Sequence, residues 1–266
     1  MAQVKRIAHY RGQDGEILQG VVTLEGSAAQ IQEVSGLDDM LQGGRMLGRP
    51  RPVSEVQLLP WGIGRKILAV GKNYHDHAKE MGGEAPKTPL IFMKPPSALI
   101  GHGQAIELPG PAISTEIHHE AELCVVIGKK LRGASEAECA AAVAGVTCLN
   151  DVTMRNVQKS DGQWTRAKGF DTFCPVGPWV SAGLDWSDLA VRCRVNGELR
   201  QDGRSKDQIF PVPRLLAFIA QGITLEPGDL VSTGTPAGVG PIKPGDVVEV
   251  EVEGVGVLRN PVRLRE

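Results

Sequence analysis

The chain has 266 residues, 41% hydrophobic and 23% charged, which suits a globular protein of one large domain or of one domain with a small addition. The formal net charge of -2 gives no basic footprint for nucleic acid, and no apolar run is long enough to cross a membrane. No secretory signal is evident and the five scattered cysteines include no C-x-x-C pair, so we expect a cytoplasmic protein with reduced thiols rather than disulfides or a zinc site.

The first 62 residues have the pattern of a small strand-rich domain. Residues 4–10 and 17–24 are strand candidates joined by a turn, and the Gly-, Arg- and Pro-rich residues 40–52 are typical of a linker. We therefore predict an N-terminal domain and linker over residues 1–62 and a main domain over residues 63–266.

The main domain combines short buried strands with a few helices. Ser135 and Glu138 form the pattern of a capping box that begins a helix ending near residue 142, and a second helix over residues 213–222 ends at a glycine. The predicted strands cover residues 66–70, 89–94, 118–127, 145–153, 229–233, 246–252 and 256–264. The fold class predicted is α+β with a β-dominated core.

Two carboxylates stand on the strand predicted over residues 118–127, whose second half is apolar and rich in Val and Ile. Glu120 and Glu122 point to the same face, roughly 7 Å apart at the backbone, because a strand repeats every two residues. Two buried carboxylates repel each other, and a hard divalent cation between them would offset this repulsion. The alternative is an exposed edge strand with solvated side chains, and this segment alone favours neither. We expect His118 to share the face of the carboxylates and to hydrogen-bond them rather than bind a metal.

Asp151 is a third candidate carboxylate, near the end of another apolar strand and one helix further along the chain. A strand-helix-strand unit can bring the two strands side by side, so Asp151 could meet Glu120 and Glu122. Three carboxylates without a nearby cysteine favour Mg²⁺, Mn²⁺ or Ca²⁺ over Zn²⁺. Spacing alone favours the alternative that Asp151 caps a helix over residues 154–158.

A glycine-rich loop over residues 234–240 follows a strand in the manner of a phosphate loop. It lacks the Gly-Lys-Ser/Thr ending, and Pro241 rather than a helix follows it, which argues against a nucleotide site. A tight loop that presents backbone N–H groups and Thr235 to an anionic substrate fits better, and a plain turn is the alternative.

Seven short motifs occur in one order over residues 65–264, and together they resemble the fumarylacetoacetate hydrolase family. They are Gly71-Lys-Asn-Tyr74, His77 with Glu80, His119-Glu-Ala-Glu122, Asp151-Val-Thr-Met-Arg-Asn-Val-Gln158, Ala167-Lys168, Val195-Asn-Gly-Glu198 and Thr233-Gly-Thr-Pro-Ala-Gly-Val-Gly240. The resemblance implies a mixed β-roll, usually assembled as a homodimer.

The resemblance also implies which residues form the site. The ligands of Mg²⁺, or of Mn²⁺ or Ca²⁺, would be Glu120, Glu122 and Asp151. The residues around the substrate would be Lys168 at the metal site, Arg155 and Gln158 in the pocket wall, and Thr235 at the substrate carboxylate.

His77 and Glu80 match a dyad that some family members carry on a short lid helix and use to activate water. Their i, i+3 spacing puts both side chains on one face of a helix, which suits a carboxylate that orients an imidazole base. The alternative is an ordinary exposed pair, and we expect the nearby His75 to lie on the surface.

The family acts on 2-oxo acids through a metal-bound enolate, so a small-molecule substrate of this class is expected. The dyad favours C–C bond hydrolysis or decarboxylation of an acylpyruvate-type or oxaloacetate-like acid. The alternative is an isomerase or decarboxylase of 2-hydroxymuconate-type or 2-hydroxyhepta-2,4-diene-1,7-dioate-type acids in aromatic catabolism. A non-catalytic metal-binding scaffold ranks below both, because Lys168 and all three carboxylates are present.

Overall fold

The computed structural model describes residues 4–26, 28–35 and 45–266. The strands in these ranges are β1 (Lys5–Arg11), β2 (Ile17–Glu25), β3 (Ala28–Val34), β4 (Met46–Pro52), β5 (Leu58–Leu59), β6 (Ile67–Gly71), β7 (Leu90–Lys94), β8 (Leu99–Ile100), β9 (Ile106–Leu108), β10 (Ile117–His119), β11 (Ala121–Ile127), β12 (Val143–Asn150), β13 (Thr153–Met154), β14 (Cys174–Ala182), β15 (Ala190–Val195), β16 (Glu198–Arg204), β17 (Leu230–Ser232), β18 (Gly240–Pro241), β19 (Val247–Val252) and β20 (Gly256–Leu264). The helices are α1 (His75–Glu80), α2 (Glu136–Ala141), α3 (Arg155–Asp161), α4 (Thr165–Lys168) and α5 (Val212–Gly222). The β-dominated α+β class is confirmed.

One long sheet carries the strands of the candidate site. Within the described ranges its order is β4-β3-β2-β1-β14-β12-β11-β17-β6-β7, with β5 on β1 and β8 on β14. Strands β11 and β12 pair antiparallel, so that Ala121 lies opposite Asn150. The start of one strand and the end of the other therefore meet, which brings the residues just beyond these ends, Glu120 and Asp151, together.

The predicted strand over residues 118–127 is two strands in two sheets. Strand β10 lies in a small sheet with β13 and β18, and β11 lies in the long sheet. At the junction the backbone N–H groups bond to side chains rather than to a neighbouring strand. The Glu120 N–H donates to Asn150 Oδ1 and the Ala121 N–H donates to Gln201 Oε1, both at 3.0 Å. The backbone ladder is interrupted here because these donors are bonded outside it.

Strand β11 is buried along its whole length because both of its faces are covered. Leu123 and Val125 belong to the buried cluster that includes Val191 of the sheet β16-β15-β19-β20-β9. Cys124 and Val126, on the other face, belong to a second cluster. Burying one such aliphatic side chain contributes about 1.5–3 kcal/mol to the free energy of unfolding. The apolar residues of β11 therefore fix the positions of Glu120, just before the strand, and of Glu122, near its start.

The two predicted helices of the main domain are confirmed. Ser135 accepts a hydrogen bond from the Glu138 N–H, and the Glu138 carboxylate accepts one from the Ser135 N–H, which completes the capping box of α2. The helix predicted over residues 213–222 is α5. No helix in the described ranges is both long and apolar enough to cross a membrane.

The linker predicted over residues 40–52 is wrong in its second part. Residues 40–44 lie outside the described ranges, but β4 (Met46–Pro52) is a strand that pairs with β3. As the outer strand of the long sheet it tolerates Pro50 and Pro52, since a proline at an edge need not donate to the ladder.

The strands of the N-terminal part extend the sheet of the main body. Strand β1 pairs antiparallel with β14, with Lys5 opposite Ala182 and Ile7 opposite Val180. The boundary that we predict at residue 62 thus separates elements that share one sheet.

Candidate metal centre and active site

Three buried carboxylates meet where β11 begins and β12 ends. Glu120, Glu122 and Asp151 each offer an oxygen, and these atoms all lie within 4.8 Å of one another. The exposed-edge alternative is wrong, because Glu120 is 4% exposed and Glu122 is 1% exposed. Asp151 does not cap the following helix either, since Met154 is the N-cap residue of α3 and makes no side-chain cap.

Two of the carboxylates have cationic partners. Lys168 Nζ lies 2.9 Å from Glu120 Oε2 and 2.5 Å from Asp151 Oδ2. Lys94 Nζ lies 2.5 Å from Asp151 Oδ1, and Arg155 Nη2 lies 2.6 Å from Glu120 Oε1. Burial by itself would raise the pKa of Glu120, but the charges of Lys168 and Arg155 outweigh burial and hold it below its usual range. Burial opposes the charge of Lys168 as well, and Asp151 and Glu120 nevertheless raise its pKa.

Glu122 has no cationic partner among the described side chains. It accepts hydrogen bonds from Ser232 Oγ at 2.5 Å and from the Gly234 N–H at 2.8 Å. Burial, and then the charges of Asp151 and Glu120, raise its pKa to about 8. An all-oxygen donor set with one carboxylate lacking a counter-charge suits a hard divalent cation, so the cluster could hold such an ion.

The carboxylates open into a small cleft that is lined by all the side chains predicted for substrate and catalysis except Glu80. The lining includes His77, Glu120, Glu122, Arg155, Gln158, Trp164, Lys168 and Thr235. The structure therefore brings together residues that lie far apart in the sequence.

Helix α1 places the predicted dyad at the pocket. His77 Nδ1 lies 3.0 Å from Glu80 Oε2, and Glu80 Oε1 accepts from the Gly238 N–H at 3.0 Å. A carboxylate can only accept, so His77 Nδ1 carries the proton and Nε2 has the free lone pair. His77 is 4% exposed, which does not fit an ordinary surface pair, whereas His75 is exposed as predicted.

Arg155 lines the pocket with hydrogen-bonding capacity to spare. Its Nη1 donates to Gln158 Oε1 at 3.0 Å, while its buried Nε has no hydrogen-bond partner among the described atoms. A buried guanidinium N–H without a partner is costly, and an anionic ligand would satisfy it.

Thr235 lies in the pocket wall, and its hydroxyl bonds within the protein. The hydroxyl donates to the Ala121 carbonyl at 2.9 Å and accepts from Gln201 Nε2 at 2.7 Å. Contact with a substrate carboxylate would redirect its proton away from Ala121.

The two adjacent histidines have other roles than the one we predict. His118 lies 3.9 Å from Glu116, and its expected hydrogen bond to the carboxylates is absent among the described contacts. His119 is the buried one: its Nδ1 bonds to Gln201 Oε1 at 3.0 Å, and burial lowers its pKa to about 4. The prediction for His118 is wrong because both oxygens of Glu120 contact cations instead, Oε1 with Arg155 and Oε2 with Lys168.

Sequence reasoning missed four contributors to the site. Lys94 ends an apolar strand, where a lysine usually marks the surface, and Gln201 lies in a strand, β16, of mostly exposed residues. Phe92 and Trp164 place their rings 4.9 and 5.7 Å from Lys168 Nζ and so bound the site with cation–π contacts. No local pattern marks any of these residues, because their partners are distant in sequence.

Comparison with known families decides the affiliation. Residues 66–263 match the model of the fumarylacetoacetate (FAA) hydrolase C-terminal family. The chain belongs to the fumarylacetoacetate hydrolase family. All the carboxylates of the acidic cluster lie within the matched residues of this family member.

Named relatives of this family member differ in the reaction their names describe. The mitochondrial oxaloacetate decarboxylase of Dictyostelium discoideum is 43% identical over 202 residues, which are 73% of this chain and 92% of that protein. The structure of 2-hydroxyhepta-2,4-diene-1,7-dioate isomerase from Mycobacterium marinum is 39% identical and covers 98% of this chain and 99% of its own, with a TM-score of 0.88. The structure of fumarylpyruvate hydrolase from Pseudomonas aeruginosa, in complex with Mn²⁺ and pyruvate, is 32% identical and covers 79% of this chain and 92% of its own, with a TM-score of 0.71.

Proposed function

We propose that this protein is a divalent-metal-dependent enzyme that cleaves a C–C bond of a small 2-oxo acid, by decarboxylation of an oxaloacetate-like acid or by hydrolysis of an acylpyruvate. The observation that carries this proposal is one pocket in which a buried carboxylate without a counter-charge, Glu122, lies with an oriented imidazole, His77. The ion proposed is Mg²⁺ or Mn²⁺. We also propose a homodimer, as the family resemblance implies, a cytoplasmic location, and residues 1–62 as a small N-terminal domain.

The charges around the pocket support an anionic substrate. Arg155 offers its unpartnered Nε to a carboxylate, and the Lys168 ammonium lies at the carboxylate cluster. A divalent ion held by Glu120, Glu122 and Asp151 would supply Lewis-acid polarisation of a substrate carbonyl oxygen. Phe92 and Trp164 exclude water from one side of Lys168, which strengthens its field on charge that develops nearby.

His77 would move the protons. In decarboxylation the C3–C4 bond breaks, C4 leaves as CO₂ and the electron pair stays on the three-carbon fragment as an enolate. His77 in its protonated form would then give a proton to C3, and the product is a 2-oxo monoacid. In hydrolysis His77 Nε2 would take a proton from the water that adds to the C4 carbonyl, while Glu80 holds Nδ1. The C3–C4 bond then breaks, C4 leaves as a carboxylic acid, and the enolate of the 2-oxo acid takes a proton at C3.

A second candidate is an isomerase of a 2-hydroxyhepta-2,4-diene-1,7-dioate-type acid, as an enzyme of aromatic catabolism. It is favoured by the extent of the likeness to the Mycobacterium marinum isomerase, which covers 98% of this chain and so includes most of the N-terminal strands. Proton transfer between carbons, without C–C bond cleavage, would need the same carboxylates but no activated water.

The test is an ultraviolet assay of chelator-treated protein with Mg²⁺ or Mn²⁺ added back. Oxaloacetate, acetylpyruvate, fumarylpyruvate and 2-hydroxyhepta-2,4-diene-1,7-dioate are offered separately. Metal-dependent loss of oxaloacetate or of an acylpyruvate is expected, and Glu122→Gln should abolish it. His77→Gln should reduce turnover by about 10²–10⁴-fold, the usual contribution of a general acid or base.

His75→Gln is the matched control, because it changes an exposed histidine on the same helix. Glu122→Gln protein with the same metal serves as the blank for non-enzymatic decarboxylation. Turnover that needs no added metal and survives in Glu122→Gln would refute the proposal. Conversion of the diene-dioate with all 2-oxo acids untouched would instead select the isomerase.

A further inference from the structure

Gln201 is a buried amide in β16, and all its hydrogen-bonding groups are used. Its Oε1 accepts from the Ala121 N–H and from His119 Nδ1, each at 3.0 Å. Its Nε2 donates to Thr235 Oγ1 at 2.7 Å and to the Pro236 carbonyl at 2.8 Å. A primary amide has two donors and two acceptor lone pairs, so this side chain is saturated.

The orientation of this amide follows from its backbone partners. The Ala121 N–H can only donate and the Pro236 carbonyl can only accept, so oxygen faces the first and nitrogen the second. Thr235 Oγ1 therefore receives a hydrogen bond from Gln201, and its own proton must go to another acceptor. That acceptor is now the Ala121 carbonyl, 2.9 Å away, and a substrate carboxylate in the pocket would be the other.

The loop that begins at Thr235 lies directly on strand β16. Gly238 has φ +98°, and a Cβ at this residue would lie 2.1 Å from the Arg200 carbonyl oxygen. On its other side the same residue donates its N–H to Glu80, which bonds His77. One loop thus contacts strand β16 on one side and the dyad on the other.

We propose that Gln201 is a positioning residue: it holds the loop over residues 235–240 in place, so that the Thr235 hydroxyl can turn its proton from the Ala121 carbonyl to a substrate carboxylate and Glu80 remains bonded to the loop and to His77. The catalytic part of this role rests on the proposed function, whereas the structural part does not. Gln201 acts through Thr235 and Gly238 and does not line the pocket itself.

Gln201→Glu is the informative variant, since it keeps an acceptor for Ala121 and His119 and removes both donors. Asn260→Leu is the matched control, because Asn260 is also a buried amide that donates to two carbonyls, those of Gly101 and Gln104, both at 2.8 Å. Hydrogen exchange is measured first, without metal or substrate. In Gln201→Glu the amide of Gly238 should exchange at least about tenfold faster, because losing one net hydrogen bond is about that factor in an opening equilibrium. Amides of β6 and β7, and the loop in Asn260→Leu, should keep the wild-type rate.

Kinetics with the substrate found for the wild type is measured second. Gln201→Glu and Thr235→Val should each raise KM at least about tenfold. The KM of the double variant should not exceed the higher KM of the two single variants, because the two residues act as a unit. The Kd for Mn²⁺ should stay within about threefold, since the bonds that hold Ala121 and His119 are retained.

Unchanged exchange at Gly238 in Gln201→Glu would overturn the structural part of the role. Fully multiplicative effects of Gln201→Glu and Thr235→Val on KM would overturn the catalytic part. A wild type that turns over no substrate would be a failure of the proposed function alone, because the exchange measurement still decides whether Gln201 holds the loop.

Discussion

Lys94 gives the sharpest test of how the acidic cluster is held together. Its Nζ is 2.5 Å from Asp151 Oδ1, and both residues are 1% exposed. At an effective dielectric constant of about 20, two charges at this distance attract by about 7 kcal/mol before desolvation is subtracted. Removing one partner of a buried pair costs about 3–5 kcal/mol, and since Lys168 still contacts Asp151 we expect about 3 kcal/mol for Lys94→Met.

The measurement is urea unfolding in chelator at one protein concentration, for Lys94→Met, Asp151→Asn and the double variant. The double-mutant cycle should give a coupling free energy of about 2 kcal/mol or more, because the double variant leaves no unpaired Asp151 charge. Lys66→Met is the control: Lys66 contacts Asp229 at 2.6 Å but is 34% exposed, so about 1 kcal/mol is expected. Additive single effects at Lys94 and Asp151 would refute the assignment of this pair as a buried, energetically coupled interaction.

Three further outcomes follow from other parts of the structure. Glu122→Gln should bind Mn²⁺ at least about 100-fold more weakly by calorimetry. It should unfold no more easily in chelator, because burial already disfavours the charged form of Glu122 and an amide oxygen can still accept from Ser232 and Gly234; marked destabilisation in chelator would contradict this. Burial lowers the pKa of His9 to about 4, below its unfolded value, so the folded state resists protonation and stability should fall as the pH drops below about 6.5. Urea unfolding at pH 7.5 and 5 should show the wild type losing about 1–2 kcal/mol more than His9→Gln, and equal losses would contradict the lowered pKa. Gly238→Ala should cost at least about 2 kcal/mol more by urea unfolding than Gly245→Ala, which has a similar φ but no atom near its Cβ position, and equal costs would contradict the close approach to Arg200.

Local patterns predicted the elements that depend on near neighbours in the chain. One example is the capping box, which depends on two residues three positions apart, Ser135 and Glu138. Another is strand β11, whose consecutive apolar residues indicate a strand that is buried on both faces. The motif order gave the family, which the match over residues 66–263 bears out.

What the sequence could not give depends on contacts between distant residues. The split between β10 and β11 depends on the side chains of Asn150 and Gln201. These side chains accept hydrogen bonds from the backbone N–H groups of Glu120 and Ala121, which lie 30 and 80 positions away in the sequence. His119 is buried with its Nδ1 bonded to Gln201, 82 positions away, whereas His118 lies beside Glu116. The periodicity of apolar residues in a single sequence does not reveal such long-range hydrogen bonds.

The pairing of β1 with β14 has a consequence for any attempt to study the main domain alone. A fragment that begins at residue 63 would expose the backbone donors and acceptors of Val180–Ala182 that now face Lys5–Ile7. An uncovered strand edge is a template for self-association, so such a fragment is expected to aggregate or to pair its edges in solution. The N-terminal strands therefore act as a protective cover for the sheet that carries the carboxylates.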